Sequence, residues 1–401
     1  EADYYECFNN GCMIGKHVHE FATGLETDPE GNFYFVKGHG AKNTHAGTLL
    51  KVTPDGTEIS VVATGFRWPN GSGVGPQGQL TVADQQGTWV PSSRLDLVKP
   101  GGFYGFMNAH HRETPPTDYD GPLCWIPHKI DNSCGGQAWV TSDTWGPFKD
   151  FMVHLSYGKC ELFVVLQENV DGVDQAGVYK LPLRFQSGSM RARFSPHDGQ
   201  LYASGLKGWQ TSGAKDGCLQ RVRYTGAEVL MPNTLHVHEN GIRIGFTQEL
   251  DRELAEDLDS WQVEQWNYQW TKKYGSKEFS VKDPDKIGHD PVETVQARKL
   301  APIRRGQRTR GSLQMTRPRA TGALGGAAQP RPRRSAPGPI AGVARILLDR
   351  VPQVAETVRY LVHVPHELAP AQYLTHEPLH ARKGEVHPQN VGHDLRGQEP
   401  V

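Results

Sequence analysis

The chain has 401 residues, a formal net charge of -1 at pH 7 and a hydrophobic fraction of 37%. This length fits one large domain or two to three ordinary ones, and a nearly neutral charge gives no reason to expect nucleic acid as a partner. No stretch approaches the roughly 18 consecutive apolar residues of a membrane span, so we expect none. The many glycines (45) and prolines (28) favour a turn-rich β architecture.

The six cysteines are too few for a disulfide scaffold in a chain of this size. Cys7 and Cys12, or Cys124 and Cys134, are close enough in sequence for local disulfides, and free thiols are the alternative. No Cys-x-x-Cys-His motif is present, so the chain encodes no covalent haem attachment.

A turn followed by an alternating strand occurs three times, each with a Pro-x-Gly or Pro-x-Asp-Gly turn. The segments are TDPEGNFYFV (27–36), VGPQGQLTVA (74–83) and FSPHDGQLYAS (194–204). Glycine supplies the turn, and alternation places every second side chain toward a core. A fourth unit, GTLLKVTPDGTEISVVATG (47–65), predicts a hairpin that turns at its Asp-Gly pair.

Residues 135–166 predict further strands, QAWVT, FMVHLSY and ELFVVL, with polar turns between them. Many short strands indicate an all-β sandwich, barrel or propeller. The first two Pro-Gly turns lie 47 residues apart, and repeats of about 45 residues favour a propeller with four-stranded blades. We therefore predict about four blade-sized units within residues 15–226, one of them diverged and lying around 100–166.

The composition changes after this region. HENGIRIGFTQELD (238–251) is typical of an opening strand of an immunoglobulin-like sandwich, but the module over 235–300 is shorter than the ~100 residues of a complete one. Between residues 298 and 345 there are twelve Arg or Lys and no Asp or Glu. We predict a largely disordered, Arg/Pro/Ala-rich tail over 301–401; a nucleic-acid-binding arm is disfavoured because no aromatic residues alternate with the arginines.

The stretch GFRWPNGSGVGPQGQLTVADQQG (65–87) resembles the signature of the soluble glucose/sorbosone (aldose sugar) dehydrogenases that depend on pyrroloquinoline quinone (PQQ). That signature has Gly-x-Arg-Asn-Pro, a Pro-x-Gly turn, and a strand ending in an acidic residue, Gln and Gly. Further segments are similar to a group of large secreted bacterial propeller proteins, often fused to a c-type haem domain: 97–117, 139–160, 190–217 and 263–276.

The resemblance covers about residues 1–300 and implies an all-β fold. It implies a partial six-bladed β-propeller over 1–230, holding about four later blades, followed by a truncated immunoglobulin-like β module over 235–300. The earlier blades are then expected in sequence upstream of Glu1. Because the resemblance stops abruptly near Pro302, a frameshift is our hypothesis for the tail, and resequencing the gene tests it.

The resemblance also implies site residues. A histidine acts as general base on the sugar C1 hydroxyl, an arginine stabilises negative charge on the quinone, and calcium polarises the cofactor through oxygen ligands. Arg67 matches the quinone-contacting arginine, so the resemblance implies that it is both a catalytic residue and a cofactor contact. Gln85 and Asn70 are the other cofactor contacts. His19 matches the base, with a spacing one residue longer, and His17 is the alternative.

Two positions depart from the family pattern: Trp68 replaces an asparagine, and Gln86 stands where a glycine carbonyl would bind calcium. No side chain is assigned as a metal ligand. The residues also admit plainer interpretations, in which Arg67 is a structural loop residue and His19 merely begins a strand. DNSCGG (131–136), a Gly-rich and polar candidate for the mouth of a pocket, then forms a plain turn, and AHHRE (109–113), a candidate metal group, is solvated.

The predicted function is therefore a quinoprotein-like sugar dehydrogenase, secreted or periplasmic, that transfers hydride from an aldose to bound PQQ with calcium. The alternative is a non-catalytic propeller that binds polysaccharide or docks a c-type cytochrome domain. In that alternative Trp145 and Trp209 stack on sugars, although core packing is the commoner role of such aromatic residues. A third possibility is a fragment without activity.

Overall fold

The computed structural model describes residues 2–17, 19–40, 42–170, 172–238, 241–300, 311–316, 343–348 and 374–378. Nearly all of its regular structure is antiparallel β-sheet. Only one α-helix, α1 (Arg252–Glu256), lies within the described residues, and no helix there has the length and apolar character needed to cross a membrane.

Four sheets of four strands follow one another along the chain. The first contains β1 (Ala22–Thr27), β2 (Phe33–Lys37), β3 (Thr48–Val52) and β4 (Ile59–Thr64), and the second β5 (Gly71–Val74), β6 (Leu80–Asp84), β7 (Ser93–Val98) and β8 (Cys124–Ile126). The third contains β9 (Cys134–Trp139), β10 (Met152–Ser156), β11 (Glu161–Val170) and β12 (Val173–Lys180). The fourth contains β13 (Gly188–Phe194), β14 (Leu201–Leu206), β15 (Gly217–Tyr224) and a late strand, Leu374–Pro378.

These sheets are the blades of a propeller. Each is an antiparallel meander, and the first strands of successive sheets, β1, β5, β9 and β13, pack against one another in chain order. From β13, the Arg193 guanidinium returns to β1, where it lies 2.8 Å from Glu26 and donates to the Leu25 carbonyl at 3.1 Å. The topology confirms the prediction of an all-β propeller with about four blades.

The three Pro-Gly segments connect the first and second strands of blades one, two and four. Blade three has no such turn. Its first two strands are joined by residues 140–151, which include a 3₁₀ segment (Asp143–Phe148) with Trp145 and Phe148 buried. The diverged blade, predicted around 100–166, instead occupies residues 134–180, because β8 at 124–126 completes blade two, and its irregularity lies in this one connection.

A second unit follows the propeller and has two sheets. One contains β16 (Pro232–His238), β17 (Gly241–Phe246), β20 (Gln296–Leu300) and β21 (Gly311–Thr316), in the order β16-β17-β21-β20. The other contains β18 (Trp261–Trp266), β19 (Asp290–Pro291) and β22 (Val343–Leu348), in the order β19-β18-β22. Ile244, Phe246 and Leu313 of the first sheet share a core with Trp261 and Val263 of the second, as in a sandwich.

The final strand of the fourth blade is β23 (Leu374–Pro378). With β21 and β22, it lies in the segment for which composition predicts a largely disordered tail, so these three stretches are strands where none is expected. The rest of 301–401 lies outside the described residues, and the prediction for it remains a prediction.

Of the two alternatives left open for the cysteines, the structure has free thiols: all six are unpaired with another cysteine. Cys7 is exposed and Cys12 half-buried on the N-terminal segment, while Cys124 and Cys134 lie in strands of different blades. The Cys134 thiol points to the carbonyl of Asp84, 3.6 Å from its Sγ, instead of to another thiol.

Candidate functional site

Asp84, at the end of β6, organises the loop that carries Arg67. Its carboxylate accepts three backbone N–H groups, those of Arg67 (2.5 Å), Trp68 (3.0 Å) and Gln85 (2.9 Å). Burial raises the pKa of Asp84 above its usual value, against the lowering effect of these amides and of the Arg67 guanidinium. One buried carboxylate thus holds the 67–70 loop against the end of β6.

Arg67 is 4% exposed, and its guanidinium lies between two aromatic rings. Its Cζ is 4.0 Å from the Trp68 ring centroid and 5.0 Å from that of Tyr274, distances at which a cation is attracted by the ring faces. Nη1 donates to the Gln86 carbonyl at 3.2 Å; among the described residues, Nε and Nη2 have no hydrogen-bond partner. A Cβ at Gly87 would lie 2.1 Å from Cζ, so only glycine leaves room there.

Trp68 also connects Arg67 to histidines. The His19 ring centroid lies 4.9 Å from the Trp68 ring, and the His39 ring stacks on it at 5.4 Å with an interplanar angle of 10°. Burial, followed by Arg67 and the two nearby histidines, lowers the pKa of His39 to about 4. His39 is therefore neutral at ordinary pH. Sequence reasoning did not single it out, because its place beside Trp68 depends on hydrogen bonds between two loops that are distant in sequence, one after β2 and one after β4.

The two candidate bases, His19 and His17, are both exposed, with ring centroids 5.4 Å apart. The His17 ring accepts from the His19 backbone N–H at 3.2 Å. Within the described residues no carboxylate or carbonyl orients the His19 imidazole. The structure thus brings His19 and Arg67 to one aromatic ring, Trp68, and the assignment of a catalytic role to either stays a prediction.

The other two predicted cofactor contacts, Gln85 and Asn70, use their side-chain amides for hydrogen bonds within the protein. Gln85 Nε2 donates to the Trp68 carbonyl at 3.3 Å, and Gln85 Oε1 accepts from Ser133 Oγ at 3.1 Å. Asn70 Nδ2 donates to the Cys134 carbonyl at 2.9 Å. These amides link blade two to the start of blade three, and their role as cofactor contacts stays a prediction.

Arg67 has the charge that the resemblance implies for a PQQ contact, whereas the position that it implies for calcium is already bonded within the protein. PQQ is planar and anionic, so it suits a guanidinium with unpaired N–H groups beside the exposed ring of Tyr274 (67% exposed). The Gln86 carbonyl, which the resemblance aligns with a calcium-binding carbonyl, instead accepts from Arg67. Calcium prefers oxygen ligands, and the cluster of three potential metal ligands found among the described residues contains a thiol and an imidazole.

That cluster is buried and was missed by the sequence reading, which took residues 131–136 for a plain turn. Asp131, Cys134 and His154 are fully buried. His154 Nε2 lies 2.8 Å from Asp131 Oδ2, and Ser156 Oγ donates to Oδ1 at 2.6 Å. Asp131 and Cys134 are three residues apart in the sequence, whereas His154 joins them only because β9 and β10 pair, so no local motif contains the whole cluster.

Several other candidates from the sequence have structural roles, or no partner that suggests a ligand. Trp145 is fully buried in the core of blades three and four, whereas Trp209 is 83% exposed. In AHHRE, His111 Nε2 contacts the Ala46 carbonyl at 2.6 Å, and the described residues around it form no metal-binding group.

No protein-family profile and no curated protein matches the chain. Among solved structures it is similar to a glucose dehydrogenase-type oxidoreductase from Thermus thermophilus, with 20% identity and a TM-score of 0.40 over 52% of this chain and 68% of that one. It is also similar to the PQQ-bound aldose sugar dehydrogenase of Streptomyces coelicolor, with 15% identity and a TM-score of 0.36 over 50% of this chain and 61% of that one.

A third similar structure is the apo-form soluble aldose sugar dehydrogenase of Escherichia coli, with 16% identity and a TM-score of 0.35 over 49% of this chain and 62% of that one. The chain thus spans less than two thirds of the length of the last two proteins. Identities and TM-scores this low say nothing about whether this chain oxidises a sugar, and the propeller architecture follows from the strand topology described above.

Proposed function

We propose that the chain is the propeller of a quinoprotein-like sugar dehydrogenase, with the cofactor face at Arg67. The observation that carries the proposal is the guanidinium held between Trp68 and Tyr274, with two nitrogens, Nε and Nη2, that have no hydrogen-bond partner among the described residues, and a histidine on the same tryptophan. A fixed cation beside flat apolar surfaces suits a planar anion, because charge and stacking act together.

In this proposal each residue has a separate role. Arg67 binds anionic oxygens of the cofactor, and Trp68 and Tyr274 contact its plane and exclude water from one side. His19 accepts the proton of the aldose C1 hydroxyl, with His17 as the alternative base; an imidazole suits this role because its ordinary pKa lies near neutral pH. The chemistry that bound PQQ supplies is hydride acceptance.

Gln85 and Asn70 act indirectly in this scheme. Their side-chain amides hold the Trp68 carbonyl and the Cys134 carbonyl, so they set the position of the Arg67 loop relative to blade three. Asp84 also fixes the position of the Arg67 loop, because its carboxylate accepts the backbone N–H groups of Arg67 and Trp68. We assign these three residues to positioning.

The experiment is a dye-reduction assay on purified protein with added PQQ and Ca²⁺ and a panel of aldoses. We expect activity that falls about 100-fold or more in Arg67→Ala, as expected for losing a charge-stabilising donor, and by a similar factor in His19→Ala. His197→Ala, which removes an exposed histidine from the turn of blade four, serves as the matched control and should leave the rate unchanged. If His17→Ala abolishes the rate and His19→Ala does not, the base is His17.

A non-catalytic sugar-binding propeller is the second candidate. It is favoured by the internal use of the Gln85 and Asn70 amides and of the Gln86 carbonyl, which leaves fewer groups for a cofactor. Exposed Trp209 and Tyr274 offer flat surfaces for sugar rings. Saturable quenching of tryptophan fluorescence by oligosaccharides, with no response to PQQ, would favour this candidate over the dehydrogenase.

The dehydrogenase proposal carries further expectations. The substrates would be small or polymeric sugars, and electrons would leave through a c-type cytochrome domain, as the resemblance implies. Enzymes of this type work outside the cytoplasm, so we propose a periplasmic or secreted location. Fractionation of the source cells tests the location, and reduction of added cytochrome c by sugar-loaded protein tests the partner.

A further inference from the structure

We propose that Asp131, Cys134 and His154 bind a divalent transition metal ion, with zinc as the expected ion. Among the described residues these three side chains offer ligand atoms that all lie within 4.8 Å of one another. Each is fully buried. A thiol, an imidazole and a carboxylate together are the donor set of zinc rather than of calcium or magnesium.

The geometry is close to what a tetrahedral ion needs. Zinc–sulfur bonds of about 2.3 Å and zinc–nitrogen bonds of about 2.0 Å place ligand atoms roughly 3.3–3.5 Å apart. His154 Nε2 and Asp131 Oδ2 are now 2.8 Å apart and share a hydrogen. The ion replaces that hydrogen, so the pair opens slightly while Cys134 Sγ closes in. The Asp84 carbonyl, 3.6 Å from Sγ, can serve as the fourth ligand.

Charge and surroundings favour an ion here. A carboxylate and a thiolate together offset the two positive charges of zinc, so the loaded site adds no net charge to the interior. Asp131 is already oriented for coordination, because Ser156 Oγ holds Oδ1 at 2.6 Å and leaves Oδ2 facing His154. Ser93 Oγ also donates to the Asp131 carbonyl at 2.8 Å. Such outer hydrogen bonds are typical of built metal sites.

Binding of the ion requires one rearrangement among the residues that surround the three ligands. Gln137 Nε2 now lies 3.0 Å from His154 Nδ1, whereas a metal-bound histidine carries a hydrogen on that nitrogen. Turning the Gln137 amide presents Oε1 to Nδ1–H, and Nε2 then donates to Thr81 Oγ1, which keeps its own bond to the Gly73 carbonyl. The turn costs the Gly135 carbonyl its bond from Nε2.

The location gives the ion a structural role. Asp131 precedes β9, Cys134 begins β9 and His154 lies on β10, while Asp84 ends β6 of the preceding blade. An ion here therefore ties blade two to blade three. Because the site is closed to solvent, we expect it to be filled during folding rather than afterwards.

The first experiment is metal analysis of protein expressed in zinc-supplemented medium and purified without chelator. We expect about one zinc per chain in the wild type, and less than a tenth of that in Cys134→Ser and Asp131→Asn. Cys160→Ser is the matched control, because Cys160 is another fully buried free thiol that is not a member of this cluster. Its zinc content should equal that of the wild type.

The second experiment is refolding in Co²⁺, which reports the thiolate directly. Wild type and Cys160→Ser should show the intense near-ultraviolet charge-transfer band of thiolate-bound cobalt, and Cys134→Ser should lack it while Asp131→Asn weakens it. Circular dichroism confirms that each variant is folded. The proposal would be overturned if the wild type contained no zinc as purified and showed no cobalt band after refolding. It would also be overturned if Cys134→Ser kept the zinc content of the wild type. Neither readout depends on sugar oxidation, so this proposal and the proposed function fail independently.

Discussion

Gly87→Ala tests the packing that holds Arg67 in place. A Cβ at this position would lie 2.1 Å from Arg67 Cζ and 2.3 Å from Nη1, well inside contact distance. The φ angle of Gly87 is not in the left-handed region, so alanine suits its backbone and the effect of the substitution is steric. The guanidinium must leave its place between Trp68 and Tyr274.

The expected cost follows from the contacts that are lost. The bond from Arg67 to the Gln86 carbonyl involves a charged donor and is worth about 1.5–3 kcal/mol, and each ring contact about 0.5–1 kcal/mol. Because the displaced guanidinium gains water as a partner, we expect a net loss of about 2 kcal/mol in the free energy of unfolding, together with loss of PQQ binding.

The assay is urea denaturation followed by tryptophan fluorescence, run beside Gly121→Ala. A Cβ at Gly121 has no heavy atom within 4 Å, so that control should stay within about 0.5 kcal/mol of the wild type. Equal stability and equal PQQ affinity in Gly87→Ala and the wild type would refute the packing described for Arg67.

Three further predictions concern stability. Arg94→Leu leaves the fully buried Asp96 carboxylate without the guanidinium that now lies 2.6 Å away, so we expect the free energy of unfolding to fall by about 3–5 kcal/mol in urea denaturation. The double variant Arg94→Leu/Asp96→Asn should recover part of this stability. A double variant no more stable than Arg94→Leu would contradict the prediction. Gly71→Ala places a Cβ 1.6 Å from the Gly135 carbonyl oxygen in blade three, where backbone must move, and should lower the melting temperature by about 5 °C or more. The pKa of His39 is lowered from 6.5 to about 4 in the folded protein, so between pH 4 and pH 6.5 the imidazole binds a proton only in the unfolded chain. The stability that neutral His39 contributes is therefore fully present above pH 6.5 and is lost as the pH falls toward 4. Since the ring is about half exposed, we expect about 1 kcal/mol over that window, absent in His39→Gln, and identical pH profiles of the two proteins would exclude it.

The blades could be predicted because their signals are local. A Pro-Gly turn and alternating apolar residues lie within ten residues of each other, and they fall at the first hairpins of blades one, two and four. Blade three escaped this pattern because residues 140–151 replace its turn with a longer connection whose buried Trp145 belongs to the core. Composition likewise missed β21, β22 and β23. The strands that pair with β22 and β23 lie far away in the sequence, and β21 pairs with distant β17 as well as with nearby β20.

The candidate site was predictable only in part, and for the same reason. Arg67 and Gln85 stand within one motif, and the structure does bring them close through Trp68 and Asp84. Tyr274, the second ring at Arg67, is some two hundred residues further along the chain; the segment 263–276 carries the resemblance, but no residue pattern places Tyr274 beside Arg67. His39 acquires its low pKa from burial and from its neighbours, properties that no residue pattern contains.

The most direct test of the central claim, that the Arg67 face binds an anionic quinone, is a calorimetric titration of PQQ into wild type and Arg67→Leu. Leucine keeps the apolar contact with Trp68 and removes the charge. We predict saturable binding of one PQQ per chain to the wild type, and an affinity at least tenfold weaker in Arg67→Leu at equal thermal stability. No saturable binding to the wild type, or equal affinity of the two proteins, would contradict the account.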